Sequence, residues 1–152
     1  QASEIAARMT VKLARLSYLL RDYAAAEAYS RESIAFGKQL PIRSPRDREF
    51  ASEAPILLAL SLARQGHLVD ARLAIEPVLK LHGTLRAKGS DNLFQHRLMA
   101  AGLLAAALAW PTEAQPRLPE AGAILDGFPE ERKRRRSTRV LREAIAQEQK
   151  RR

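Results

Sequence analysis

Three sets of residues in this chain could do chemistry: a run of cations near the C-terminus, a basic stripe near the N-terminus, and three histidines. The run is Arg132-Lys133-Arg134-Arg135-Arg136, with Arg139 and Arg142 just beyond it. Such clusters bind phosphate by releasing counterions and need no base readout. Five successive helical residues point in all directions, however, and no aromatic residue interleaves for base stacking. The run therefore reads first as a solvated helix. Arg132, Lys133, Arg135, Arg136 and Arg139 form the alternative, a site for nucleic acid or an anionic surface. Arg8, Lys12 and Arg15 recur at i, i+4 and i+7, which puts them on one helix face. That face is either solvated or a contact for an acidic peptide or carboxylate. His67, His82 and His96 have no metal-ligand spacing, so no metal site is expected. Neither a Ser/His/Asp arrangement, nor a phosphate-binding glycine loop, nor a signature carboxylate pair is present, and nothing argues for catalysis or a cofactor.

The elements that must position these residues are helices. Apolar residues make up 46% of the 152, enough to bury a core. Alanine and leucine dominate and β-branched residues are sparse, which favours helices packed closely through small side chains. With no cysteine there is no disulfide framework. No apolar run reaches the roughly 20 residues of a membrane span. The net charge of +9 is uneven: residues 130–152 carry 10 Lys/Arg against 4 Asp/Glu, a net +6. The chain begins with Gln and its helical pattern starts at once, as in a piece of a longer protein. A cytoplasmic location is expected, and a periplasmic or secreted one is compatible.

The clearest unit is Ser52–Leu81. Ile56–Ala63 is apolar on nearly every face and should be buried on both sides. Gln65-Gly66-His67 breaks the helix, and Ala71, Ile75, Val78 and Leu79 start a second amphipathic run. Before this unit, Ala2–Leu20 forms a helix whose core face is Met9, Leu13, Leu16 and Leu20, followed by a helix over Ala24–Gln39. Ser44-Pro45 suits a helix start, with an irregularity near Pro55. Gly83–Asp91 reads as a loop, Ser90 or Asp91 as a cap, and Asn92–Trp110 as a long helix with Gly102 at a close contact. Pro111–Pro119, with three prolines, reads as irregular, and a short helix ends at Phe128. Pro129–Arg152 is a last helix with a narrow stripe of Val140, Leu141, Ala144 and Ile145.

Leu58-Ala59, Leu62, Gly66, Leu68, Ala71, Ile75 and Val78-Leu79 resemble the tetratricopeptide repeat pattern. Leu13–Phe36 looks like another copy: Leu13-Ala14 matches Leu58-Ala59, Asp22-Tyr23 matches His67-Leu68, and Ala26 matches Ala71. It departs from the pattern at Arg21, where glycine is usual, and at Ser17 and Ser30. The spacing is long: Tyr23 to Leu68 is 45 residues and Leu68 to Leu118 is 50. The family standard is roughly 34. The resemblance implies an all-α, tetratricopeptide-like right-handed superhelix of antiparallel helix pairs. Its repeats cover about 4–39, 46–82 and a degenerate 91–128, and a cap helix covers about 130–150. It also implies a non-catalytic protein-interaction or scaffolding role, with a peptide, helix or neighbouring domain held in a concave groove. The groove residues it implies are Arg8, Lys12, Arg15, Tyr18, Leu19, Ile56, Leu60 and Arg64. Charge reversal at Arg15 is then expected to weaken partner binding with no loss of stability.

Less specifically, the Leu/Ala helix before Trp110-Pro111, the short Ala121–Phe128 helix and the Arg-rich helix opened by Pro129-Glu130 resemble the C-terminal repeat region of bacterial Ser/Thr kinases and transcriptional regulators. That likeness implies the scaffolding end of a larger signalling protein. Self-association through the repeats is a further reading.

Overall fold

The computed structural model describes residues 2–87, 89 and 92–152; the side chains of residues 45, 46, 48–50, 87 and 115 lie outside the description. Among the described residues the regular structure is helical. In chain order it comprises α1 (Ala2–Leu19), α2 (Tyr23–Gly37), α3 (Pro45–Arg64), α4 (Leu68–Ala87), α5 (Leu93–Ala109), α6 (Ala114–Asp126), the short α7 (Glu130–Lys133) and α8 (Arg136–Lys150). A 3-10 turn, Pro111–Glu113, leads into α6. The helices pack as successive hairpins, α1 on α2, α3 on α4 and α5 on α6. Contacts of α2 with α3, and of α5 with α3 and α4, join one hairpin to the next.

The first two hairpins turn by the same device. At the end of α3, Gly66 N–H donates to Ala63 C=O (3.0 Å) and His67 N–H to Leu62 C=O (2.9 Å). At the end of α1, Arg21 N–H donates to Tyr18 C=O (3.0 Å) and Asp22 N–H to Ser17 C=O (2.9 Å). This pattern satisfies the orphan carbonyls of a helix end and puts one residue in the left-handed region. Gly66 takes φ 85° and Arg21 takes φ 61°. The Asp22 carboxylate then accepts from Ala25 N–H and caps α2. Ala26 and Ala71, one turn into each second helix, are completely buried.

Small residues let the helices approach. Ala7 and Ala14 of α1 face Ala26, Ser30 and Ser33 of α2, all buried, and the Ser33 hydroxyl donates across to the Ala7 carbonyl at 2.9 Å. α5 is apolar all round because it lies between neighbours on every side. Leu98, Leu104 and a run of alanines are buried there against α3, α4 and α6. The main core joins Ile56 and Leu60 of α3, Ile75 and Val78 of α4, Leu118 and Leu125 of α6, and Ile145 of α8.

Several sequence expectations are corrected. Met9, Leu13, Leu16 and Leu20 are exposed; α1 buries Ala7, Thr10, Val11 and Ala14 in their place. α3 starts at Pro45 behind a Ser44–Asp47 capping box and continues as one helix through Pro55. α4 runs on to Ala87, so the connection after it is shorter than Gly83–Asp91. Ser90 and Asp91 lie outside the described residues, and Asn92 caps α5 through Phe94 N–H (3.0 Å). The segment 111–119 is largely helical: Pro116 stands in the first turn of α6, where no intrahelical N–H is needed. The last segment is two helices, not one. α8 buries Thr138, Ile145 and Glu148 along one line, and an unbroken helix would extend that line to Arg134. The break at Arg134-Arg135 leaves Arg134 exposed and spares the burial of its charge.

Candidate protein-interaction surface

The inner side of α1, α3 and α5 is built around two buried carboxylates. Glu53, 6% exposed, accepts from Arg15 Nε of α1 at 2.9 Å. Arg97 of α5 lies 5.1 Å from the Phe94 ring centre. Burial lowers the Arg97 pKa, and the Glu53 charge opposes the shift. The Arg15–Glu53 pair thus ties α1 to α3. Glu148 of α8, 5% exposed, lies 3.9 Å from Arg64, 3.6 Å from Arg151 and 3.3 Å from Arg152. Arg64 Nε also donates to the Tyr18 hydroxyl at 3.3 Å. Burial raises the Tyr18 pKa, with Arg64 opposing. Arg152 donates to the Pro111 carbonyl at 2.7 Å, next to the C-terminal end of α5. A recess of about 380 Å³ remains among Arg64, Leu108, Pro111, Glu148, Arg151 and Arg152. Both carboxylates are paired with arginines, an arrangement that holds helices in place.

This geometry separates the residues assigned to a groove. Ile56 and Leu60 are core residues, 2% and 5% exposed, and line no open surface. Tyr18 and Arg64 are half-buried and joined to each other, and α8 covers them by bringing Glu148 to Arg64. Arg15 is committed to Glu53, so reversing its charge would strip a buried carboxylate of its partner. Its reversal is a test of stability, contrary to the sequence expectation. Arg8, Lys12 and Leu19 are exposed. Arg8 pairs with Glu4 at 2.7 Å, whereas Lys12 makes no ion pair among the described residues.

Those three residues edge a second surface, which the sequence reading had placed in the core. Ile5, Met9, Leu13, Leu16 and Leu20 run down the outward side of α1 at helical spacing, with Ile5 64%, Leu16 54% and Leu20 71% exposed. Lys12 and Arg8 lie on one flank, between that line and the buried side. Scattered exposed leucines are ordinary, but a continuous apolar line on one helix is a recognised mark of an interaction site.

The basic segment is partly neutralised. Lys133 pairs with Glu130 at 3.1 Å and Arg142 with Asp126 at 2.9 Å. Arg132 is half-buried; Arg135, Arg136 and Arg139 are exposed beside Arg134. Among the described residues no group of three His, Asp or Glu is placed to hold a metal ion, and no helix is long and apolar enough to cross a membrane. Glu53 and Glu148 escaped the sequence reading. Glu148 was accessible to it, since Leu141, Ile145 and Glu148 share one helical line. Comparison with protein-family models, with curated proteins and with solved structures returned no match.

Proposed function

We propose that this chain is a non-catalytic protein-recognition module whose contact surface is the outward face of α1. The observation that carries the reading is the unbroken apolar line Ile5–Met9–Leu13–Leu16–Leu20, edged by Arg8 and Lys12. Terminal elements of a helical stack ordinarily turn a polar face outward. Here α8 does so at one end of the molecule, and α1 presents leucines at the other. On this proposal the hairpins form a tetratricopeptide-like right-handed superhelix that scaffolds a signalling assembly. Its inner groove is closed by the chain's own α8, and the outer face of α1 meets the partner. The repeated turn at Arg21 and Gly66 supports the repeat reading.

The test is capture of partners from the source lysate at low and at moderate salt, each with and without nuclease. Wild type is compared with the Met9→Gln, Leu16→Gln double variant. Glutamine keeps helix propensity close to that of the residues it replaces, and both sites are more than half exposed, so the fold should hold. A discrete protein retained by wild type and lost with the variant is expected. Equal retention by both proteins removes the α1 surface from the account. Recovery of nucleic acid alone, lost as salt rises, transfers the role to Arg134, Arg135, Arg136 and Arg139, the exposed cations around the turn between α7 and α8.

A further inference from the structure

The molecule contains its own example of what covers such a face. The matching turns set Arg21 against Gly66, so residues of α1 and α3 correspond in register. In that register Met9, Leu13 and Leu16 correspond to Ala54, Leu58 and Ser61. The α3 residues are buried, with Leu58 at 7% and Ser61 at 0%, where the corresponding Leu16 is 54% exposed. What covers α3 is the preceding hairpin: Ile34 of α2 packs against the clusters that hold Leu57 and Leu58. Gln65, the counterpart of Leu20, donates to Glu27 of α2 at 2.9 Å. The polar edge repeats as well. Glu53, the counterpart of Arg8, meets an opposite charge, Arg15 of α1. At the same edge of α1, Arg8 stands where α3 has Glu53, an inverted charge, and Lys12 adds a cation where α3 has Leu57.

We infer that the occupant of the α1 face is an amphipathic α-helix edged with carboxylates, seated on α1 where α3 receives the preceding hairpin, whose α2 packs near Leu58 and whose α1 supplies the charge opposite Glu53. Its apolar stripe covers Met9, Leu13 and Leu16, and its Asp or Glu residues reach Arg8 and Lys12. A second copy fits less well. Two α1 helices paired antiparallel about the middle of the stripe would bring Lys12 against its own copy, and like charges in apposition oppose binding. The inference rests on the recognition reading above and names the partner's chemistry.

Two synthetic helical peptides of about 20 residues, matched in length to α1 at 1.5 Å per residue, test it. Both carry leucine at the first and fourth places of each heptad; one has glutamate at the edge positions and the other lysine. Binding to the full chain is followed by fluorescence anisotropy. The glutamate peptide is expected to bind more tightly than its lysine twin by roughly fivefold or more, the scale of a few exposed ion pairs. Met9→Gln with Leu16→Gln should weaken it by roughly tenfold or more through lost apolar burial. Lys12→Glu should narrow the preference between the twins. Equal binding of the twins, no binding of either, or binding indifferent to Met9→Gln with Leu16→Gln overturns the inference. So does self-association of the wild type that the same double variant abolishes, since that identifies a second copy as the occupant. If the peptides fail while lysate capture still depends on Met9 and Leu16, the recognition reading stands and the helical partner is wrong.

Discussion

His82 is buried on α4 with its Nδ1 lacking a hydrogen-bond partner, and its ring lies 3.4 Å from where a Cβ would stand on Gly102 of α5. Burial lowers its pKa to about 4, so the ring is neutral in the folded protein at neutral pH. The unfolded chain takes up the proton near pH 6.5, while the folded chain resists it down to about pH 4. Stability from this group is therefore intact above pH 6.5 and falls as the pH drops from 6.5 toward 4. The expected loss is on the order of 2 kcal/mol, less than the whole shift because the ring is not fully cut off from water. Urea denaturation across that range should show it, and His82→Leu should flatten the difference; an unchanged slope would mean that burial does not depress the His82 pKa. At this scale the sequence was only partly informative. It marked Gly102 as a close contact, which His82 now supplies. It gave no sign that Glu53 is buried, because the arginine that pairs with it, Arg15, comes from α1, far away along the chain.

The helix turns were the most legible elements, because their chemistry is local. Gly66 marks its turn directly, and the alignment of Asp22-Tyr23 with His67-Leu68 puts Arg21 at the same left-handed position. A residue with a Cβ is strained there by roughly 1 kcal/mol, so Arg21→Gly should stabilise the chain by about 0.5–1 kcal/mol in chemical denaturation. A loss of stability would mean that the Arg21 side chain contributes more than its backbone costs. The faces of α1 were harder to read. The helix has two apolar sides, a line of small residues with Val11 and a line of large ones, and the sequence reading chose the larger as core. Close approach decided otherwise: Ala7 and Ala14 let α2 come near enough for Ser33 to bond the Ala7 carbonyl. The break before α8 was hidden for a similar reason, since it follows from which line of α8 meets α5 and α6.

On the scale of the molecule, three hairpins and a closing helix bury most of the large apolar residues described; the longest exposed run of them is on the outside of α1, with Ile42, Val69, Leu73 and Phe94 exposed elsewhere. The all-helical class and the order of hairpins could be read from periodicity and turn residues. Which surface stays open could not, because that depends on where α8 comes to rest. By bringing Glu148 to Arg64 it covers one side of the stack and leaves the apolar line of α1 exposed; Val69 and Leu73 form a shorter exposed pair on α4. On the proposal above, the partner sits on the α1 surface. Site-specific photo-crosslinking tests it most directly, with a photoreactive side chain placed in turn at Leu16 on α1 and at Arg139 on α8, both exposed. The account predicts a discrete protein adduct from position 16 and none from position 139. An adduct from position 139 alone would contradict it and move the binding surface to the basic end of the molecule.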